Sequence, residues 1–509
     1  MLSLLVFMFS LKSATLTRCR KNVNGRKRVF HNFAIVILKL KTTNNMKHIT
    51  NVLKTVLGVA ASFCLANSAF AGNLSGKSAS DLAKMIRVGW NLGNSLDATG
   101  RGANAEESWG NPRTTKEMIN KVKEAGFNAV RIPVSWSTHV SNNGQYQFAI
   151  DGQWMARVKE VVNYAYDNGM FVIINIHHDN DQWHMFPTNQ YLDQSKKYVT
   201  DIWTQVGREF ADYDQHLIFE TINEPRVVGD QYEWYFDPAN PTQTVREAIG
   251  CINQINQAAV DAIRNAGGNN MDRLVGCPGY VGSIDGLTTS GFSVPNDKAS
   301  NRLWLSVHAY TPYDFCMNPD KPNHSWNQQF YYDIEWLYNS LRDKVMSKGC
   351  PVYIGETSSS NYNNLEDRKQ WERCFFGFSK NYGIPCFLWD NNSVNNTNGA
   401  ERHGYLNRNS LQWYEPSLIQ TIMETLGYDP TSVKDEIANE WNVYVEDKAV
   451  IIKSNVEIKN VDVVSINGTK VAGLVVGGNE CSVKVSHNGV YIVVINTENG
   501  TSVKKIIIK

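Results

Sequence analysis

Between about residues 85 and 428, eight short apolar runs alternate with amphipathic helical patterns, and few architectures absorb such an alternation. The runs cover residues 88–92, 129–134, 171–176, 217–222, 273–277, 303–307, 351–354 and 385–389. Each is nearly continuous in apolar character, as strands buried on both faces must be. Helical signals lie between them. Thr114-Thr115 can cap a helix carrying Met118, Val122 and Ala125 on one face, with Gly126 as its stop. Val158, Val161, Val162 and Ala165 repeat the pattern before Gly169, and Ile202, Val206 and Phe210 follow at spacing four. Ile334, Leu337, Leu341 and Val345 mark another apolar face. This alternation predicts an α/β fold, a (β/α)8 TIM barrel over residues 80–428. An open doubly wound sheet would carry a Gly-rich phosphate loop after its first strand, and GxGxxG is absent.

The pattern changes after Tyr428-Asp429-Pro430, which opens a polar linker. From Val443 onward short strand-like runs are separated by Asn467-Gly468, Asn488-Gly489 and Asn499-Gly500, dipeptides suited to tight hairpins. A small antiparallel β-sandwich over 441–509 is expected. At the other end, residues 1–71 read as a leader. From Met46 a basic start is followed by an apolar stretch from Val56 to Ala66 and by Ala69-Phe70-Ala71. That describes a secretory signal over 46–71 cleaved after Ala71. Residues 1–45, basic and patchily apolar, read as a product of an upstream start codon or as an unusual leader. No other segment reads as a membrane span.

A formal net charge of +1 argues against a nucleic-acid or anionic-membrane partner, since either needs a basic patch. The chain contains 14 Trp, 22 Tyr and 20 Phe, material for a core and for a sugar-stacking cleft alike. Seven of the nine cysteines follow Ala71, an odd number, and none has metal-ligand spacing.

In such a barrel the C-terminal strand ends share one opening. Polar residues concentrate there: Asn94, Arg131, His177 and His178, Asn223 and Glu224, His308 and Tyr310, Glu356, and Trp389. Taken singly, each has an ordinary structural explanation. Together, on seven of eight strands, they describe a site. Two carboxylates, Glu224 and Glu356, each at the tip of a buried strand, are what acid-catalysed glycoside cleavage requires. His177-His178-Asp179 could suggest a metal, but neighbouring strand residues point to opposite sides, so only one imidazole is expected to face the opening. No metal is expected.

Six stretches resemble family 5 glycoside hydrolases: Gly89-Trp90-Asn91-Leu92-Gly93-Asn94-Ser95-Leu96, Val130-Arg131-Ile132-Pro133-Val134, Ile174-Asn175-Ile176-His177-His178, Phe219-Glu220-Thr221-Ile222-Asn223-Glu224-Pro225-Arg226, Val307-His308-Ala309-Tyr310 and Ile354-Gly355-Glu356. They run in order over about residues 80–425. The resemblance implies a secreted endo-β-1,4-glucanase that retains anomeric configuration and uses no cofactor. Glu224 would be the acid/base and Glu356 the nucleophile, with Arg131 and Tyr310 on the nucleophile. Asn223 would hold a sugar hydroxyl, Trp389 would form a stacking platform, and Asn94, His177, His178 and His308 would complete the substrate-binding shell. A β-glucan is the expected partner. A xyloglucanase, lichenase or β-mannanase on the same scaffold is the alternative, and a catalytically inactive glycan-binding protein is the rival of another class. Thr357-Ser358-Ser359-Ser360 departs from the aromatic and glycine that many relatives carry after the nucleophile. Ser465-Ile466-Asn467-Gly468, Gly489-Val490-Tyr491-Ile492-Val493 and the Lys504 to Lys509 tail resemble the C-terminal sorting domain of some exported bacterial proteins. That likeness implies contact with secretion machinery and a secreted or cell-surface location.

Overall fold

The computed structural model describes residues 77–428 and 441–508, apart from 103, 322–323, 396–400, 447, 466–468 and 498–499. The expected leader and its cleavage point lie outside the described residues. Eight parallel strands form a closed barrel. They are β1 (Gly89–Leu92), β2 (Ala129–Ile132), β3 (Phe171–Asn175), β4 (Leu217–Glu220), β5 (Val275–Pro278), β6 (Leu303–His308), β7 (Val352–Thr357) and β8 (Cys386–Asp390). Each pairs with the next, and β8 returns to β1 with Gly89 opposite Phe387 and Asn91 opposite Trp389. Every apolar run read from the sequence overlaps one of these strands.

Helices cover the outside of the barrel. Thr115 caps Lys116–Glu124, its hydroxyl accepting the Met118 N–H, and Gly126 stops the helix at φ 109°. Asp151 caps Gly152–Tyr166 through the Gln153 and Trp154 amides at 2.8 and 3.0 Å. The longest helix among the described residues, Gln243–Asn265, starts at a Thr242 cap.

Strand alternation sorts the barrel into layers. Val130, Ile174, Phe219, Leu305, Ile354 and Leu388 point outward into the core beneath the helices. Ala129, Ile173, Ile218, Trp304, Tyr353 and Phe387 point inward and form a separate apolar floor. Two residues further along four of these inward rows stand Arg131, Asn175, Glu220 and Ser306. The barrel interior therefore turns from apolar to polar in one step toward the C-terminal face. Asn91 joins this polar layer from β1, two residues beyond Gly89, which a Cβ would bring to 2.0 Å from the Phe387 ring.

The C-terminal domain is a five-stranded antiparallel sheet. Its strands are β9 (Trp441–Glu446), β10 (Ala449–Ser465), β11 (Lys470–Lys484), β12 (Gly489–Thr497) and β13 (Gly500–Ile508). On one edge, β10 pairs first with β9 and then with β12; β11 follows its other edge. A register irregularity between Lys453 and Ile458 separates the two halves of β10. One buried cluster unites Val450, Ile452, Ile458, Val461 and Val463 with Tyr491, Val493, Ile495 and Ile506. The sandwich-like core thus comes from one sheet curling on itself. Val443 and Val445 of β9 pack on this cluster too.

Candidate active site

The site is built upward from Arg131, which is fully buried. Its Nε donates to Glu220 Oε2 at 2.8 Å, and Nη1 donates to Glu356 Oε1 at 2.7 Å and to Asn91 Oδ1 at 3.0 Å. Nη2 donates to Asn223 Oδ1 at 2.7 Å and approaches His308 Nε2 at 3.4 Å. Glu220 is buried as deeply and accepts three further bonds: from Asn175 Nδ2 at 3.0 Å, Ser306 Oγ at 2.6 Å and Tyr353 OH at 3.0 Å. Burial alone would raise the Glu220 carboxyl, but the Arg131 charge and these donors hold it below the usual range. A buried charge survives only when paired and hydrogen-bonded, and here both partners are. This pair forms the rigid base on which the upper carboxylates stand.

Glu356 reaches the opening because β7 is irregular. Val307 pairs with Ile354 and His308 with Glu356, so one step on β6 spans two on β7. The pairing with β8 shifts over the same residues. Tyr353 points inward and Ile354 outward, so a regular strand would send Glu356 outward as well. The extra residue reverses that parity, and Glu356 joins the inward row with Ser306 and His308. Tyr310 OH donates to Glu356 Oε2 at 3.0 Å.

Glu224 lies beyond the end of β4, which stops at Glu220. Its Oε1 lies 2.7 Å from His308 Nδ1. The same nitrogen is 3.6 Å from Glu356 Oε2. One carboxylate oxygen of each glutamate and an imidazole nitrogen of His308 all fall within 4.8 Å of one another. Burial opposes charge on His308, but the carboxylates of Glu356 and Glu224 outweigh it and raise the imidazole. Glu224 is held low by the His308 bond despite its burial. The 2.7 Å hydrogen bond between them places one proton between Nδ1 and Oε1. Both glutamates keep access to solvent, with side-chain exposures of 18% and 6% for Glu224 and Glu356.

Residues 95–395 of the chain match the cellulase family, glycosyl hydrolase family 5. Endoglucanase A of Ruminococcus albus is 40% identical over 352 residues, spanning 68% of this chain and 92% of that protein. The chain belongs to glycosyl hydrolase family 5. Among solved structures, a family 5 lichenase from Caldicellulosiruptor sp. F32 is 39% identical with a TM-score of 0.65, covering 69% of this chain and 96% of the other. A xyloglucan-specific endo-β-1,4-glucanase from a metagenomic library, bound to cellotriose, is 36% identical with a TM-score of 0.61, covering 68% and 98%. Residues 445–509 match a secretion system C-terminal sorting domain, which marks this glycoside hydrolase as secreted or displayed on the cell surface. No helix among the described residues is long and apolar enough to cross a membrane.

The family 5 enzyme gathers nearly all the polar residues expected from its sequence. Arg131, Asn223, Glu224, His308, Tyr310 and Glu356 form one bonded network. Trp389 lies parallel to His177, with ring centroids 6.0 Å apart and planes 6° apart. That position requires Gly93, since a Cβ there would meet the Trp389 ring at 2.7 Å. Asn94 is seen as a turn residue at φ 57°, its N–H donating to Asp97 and its carbonyl accepting from Asn111. The expectation that only one of the adjacent histidines faces the opening is corrected. β3 ends at Asn175, so strand alternation no longer governs His177 and His178, and both reach the Asp97 side of the cleft. His178 lies against Trp109, with centroids 5.3 Å apart.

Asp97, His177 and His178 bring potential ligand atoms within 4.8 Å of one another. The hydrogen bonding does not fit a metal. Asn175 Oδ1 accepts the Val134 N–H, which turns its Nδ2 toward His177 Nδ1 at 3.0 Å. Nδ1 therefore accepts, Nε2 carries the hydrogen, and neither nitrogen offers a free lone pair. Burial keeps His177 neutral, lowering it well below the usual imidazole range. Its outward gift is an N–H donor, suited to a sugar hydroxyl. The seven described cysteines are all free thiols.

Asn91, Asn175, Glu220, Ser306 and Tyr353 were not singled out in the sequence, although all but Tyr353 follow an inward apolar or glycine position by two. His403 was hidden too. It is fully buried, its ring centroid 5.5 Å from that of Tyr310, and burial pushes its imidazole down to about 3. An unfolded imidazole titrates near 6.5, so unfolding takes up a proton anywhere between those values. His403 therefore adds stability in full above pH 6.5 that fades as the pH falls toward 3. Between pH 6.5 and 5 the decline is about 2 kcal/mol for such a group. Urea unfolding at both pH values should show a marked loss in the wild type. His403→Gln should reduce that loss, and an unchanged loss would remove His403 as its source.

Proposed function

We propose that the protein is an endo-acting β-glucanase that cleaves β-1,4 linkages of glucan chains with retention of anomeric configuration. The observation that carries this reading is the close approach of the Glu224 and Glu356 carboxylates, within 4.8 Å around His308. Retaining enzymes hold their carboxyl groups about 5–5.5 Å apart, whereas inverting enzymes leave about 6.5–9.5 Å for a water. Glu356, bonded by Arg131 and oriented by Tyr310, attacks the anomeric carbon. Glu224 passes the proton it shares with His308 to the departing sugar oxygen, and a glycosyl ester forms on Glu356 as the glycosidic bond breaks. Esterification removes the Glu356 charge. Glu224, left ionised by the first step, takes a proton from the water that attacks the anomeric carbon, and the ester bond to Glu356 breaks to release the product. Asn223, held by Arg131, offers its amide to the sugar beside the reacting carbon. His177 offers its N–H, and Trp389 a ring face.

The relatives' names support β-glucans as the substrate class, with lichenan and xyloglucan alongside cellulose-type chains. The presence of both carboxylates within one bonded network with Arg131, Asn223, His308 and Tyr310 speaks against an inert glycan-binding protein. The sorting-domain match supports engagement of secretion machinery by residues 445–509. Proton NMR of lichenan or carboxymethylcellulose digests should show the β-anomer appearing first, and initial release of the α-anomer would overturn the retaining mechanism. Replacement of Glu224 by Gln should lower turnover on natural glucans by about 100-fold or more. A dinitrophenyl cellobioside, whose leaving group needs no proton, should form the glycosyl-enzyme at nearly the wild-type rate. Equal losses in that burst and on the glucan would count against the acid role.

A further inference from the structure

The helix Gln328–Ser340 buries Phe330, Ile334 and Leu337 against the barrel, as its periodicity demands. Its opposite face is unusual. Tyr332 and Trp336, one turn apart, are 51% and 54% exposed, where a barrel helix ordinarily shows polar residues to solvent. Trp336 lines a concavity of about 610 Å³ together with Tyr313, itself 63% exposed. Hydrogen-bonding groups lie among these rings. Gln329 Nε2 donates to Asp333 Oδ1 at 2.8 Å, and Asp314 accepts from Asn318 and faces Lys321. Such bonds fix the carboxylates and leave each with further accepting capacity.

We infer that this concavity is a second glycan-binding site, outside the catalytic cleft, taking a β-linked glucan segment. The inference rests on the glucanase reading above. Separated aromatic rings with carboxylates and amides between them match the alternating C–H faces and hydroxyl rims of a pyranose chain. A protein partner would call for a larger contiguous apolar patch. The site also adjoins the cleft. Tyr313 is three residues from Tyr310, which bonds Glu356, so the backbone distance between them is at most about 11 Å. Trp371 Nε1 donates to the Thr311 carbonyl at 2.9 Å and ties down the intervening loop. A chain bound here is held beside the carboxylates without touching them.

The test is the double variant Tyr313→Ala/Trp336→Ala, compared with the wild type in three measurements. With both stacking contacts removed, KM for soluble polymeric β-glucan should rise about fivefold or more. Retardation in a native gel cast with the same glucan should weaken in parallel. The kcat/KM for an aryl cellobioside, too short to reach the second site, should stay within about twofold, which also certifies the fold. Unchanged polymer KM and retardation overturn the proposal. So does a wild-type dimer in sedimentation that the double variant dissolves with polymer KM unaffected, because the rings would then serve self-association. A wild type that cleaves neither substrate would instead refute the glucanase reading. The gel needs no turnover, so the two failures are distinguishable.

Discussion

Glu356→Gln should lower turnover on β-glucan by about 10⁴-fold or more while the protein remains folded. The amide is isosteric with the carboxylate. Its oxygen can still accept from Arg131 Nη1, and Tyr310 OH can turn to accept from the new NH2. What disappears is the lone pair that would attack the anomeric carbon, and no neighbouring group replaces it. In the proposed mechanism Glu224 serves the leaving group, and Glu220 is sealed beneath Arg131 with no exposed surface. Circular dichroism and the denaturant midpoint should match the wild type. Small external nucleophiles should not restore turnover, since the amide leaves no room; in the shorter Glu356→Ala, azide should restore it and yield the α-glycosyl azide. Retained turnover in Glu356→Gln, or a β-configured azide product in Glu356→Ala, would remove Glu356 from the nucleophile's role.

Arg131→Met should have the largest effect on stability, about 3–5 kcal/mol. The loss does not measure the strength of the ion pair. It reflects what remains: Glu220, at zero exposure, would keep a carboxylate with no cation inside a low-dielectric barrel. Methionine fills the volume but supplies none of the donors that reach Glu220, Glu356, Asn91 and Asn223. Arg131→Lys should recover little, because a single ammonium cannot address four acceptors fixed by a planar fork. Adding Glu220→Gln to Arg131→Met should recover part of the stability without recovering activity. The check is the urea midpoint at constant slope. Equal stability in the single and double variants would mean that Glu220 is not the buried charge responsible.

The barrel was legible because both its signals are local. Strands buried on two faces must be apolar throughout, and helices covering them must be apolar on one face, so both patterns survive in the linear sequence. The reacting carboxylates were legible because they follow apolar runs, at the end where such a fold opens. The supporting layer was harder to see. Asn175 and Glu220 sit inside runs that read as uniformly hydrophobic, and only strand parity distinguishes an inward polar residue from a tolerated outward one. His403 had no such cue, since it reaches the Tyr310 ring from the segment after β8. The histidine pair was misjudged for a related reason. Alternation was extended two residues past the strand to which it applied, although chain direction is no longer set by ladder bonding there.

The irregular step in β7 means that the aim of Glu356 depends on where the strand accommodates its extra residue, as much as on which residue stands there. Drawing Gly355 into a regular ladder with no residue removed would leave Glu356 facing the helices, whereas deleting Gly355 would keep it facing the opening. A barrel redrawn with eight ideal strands would keep every side chain named here and lose its reaction.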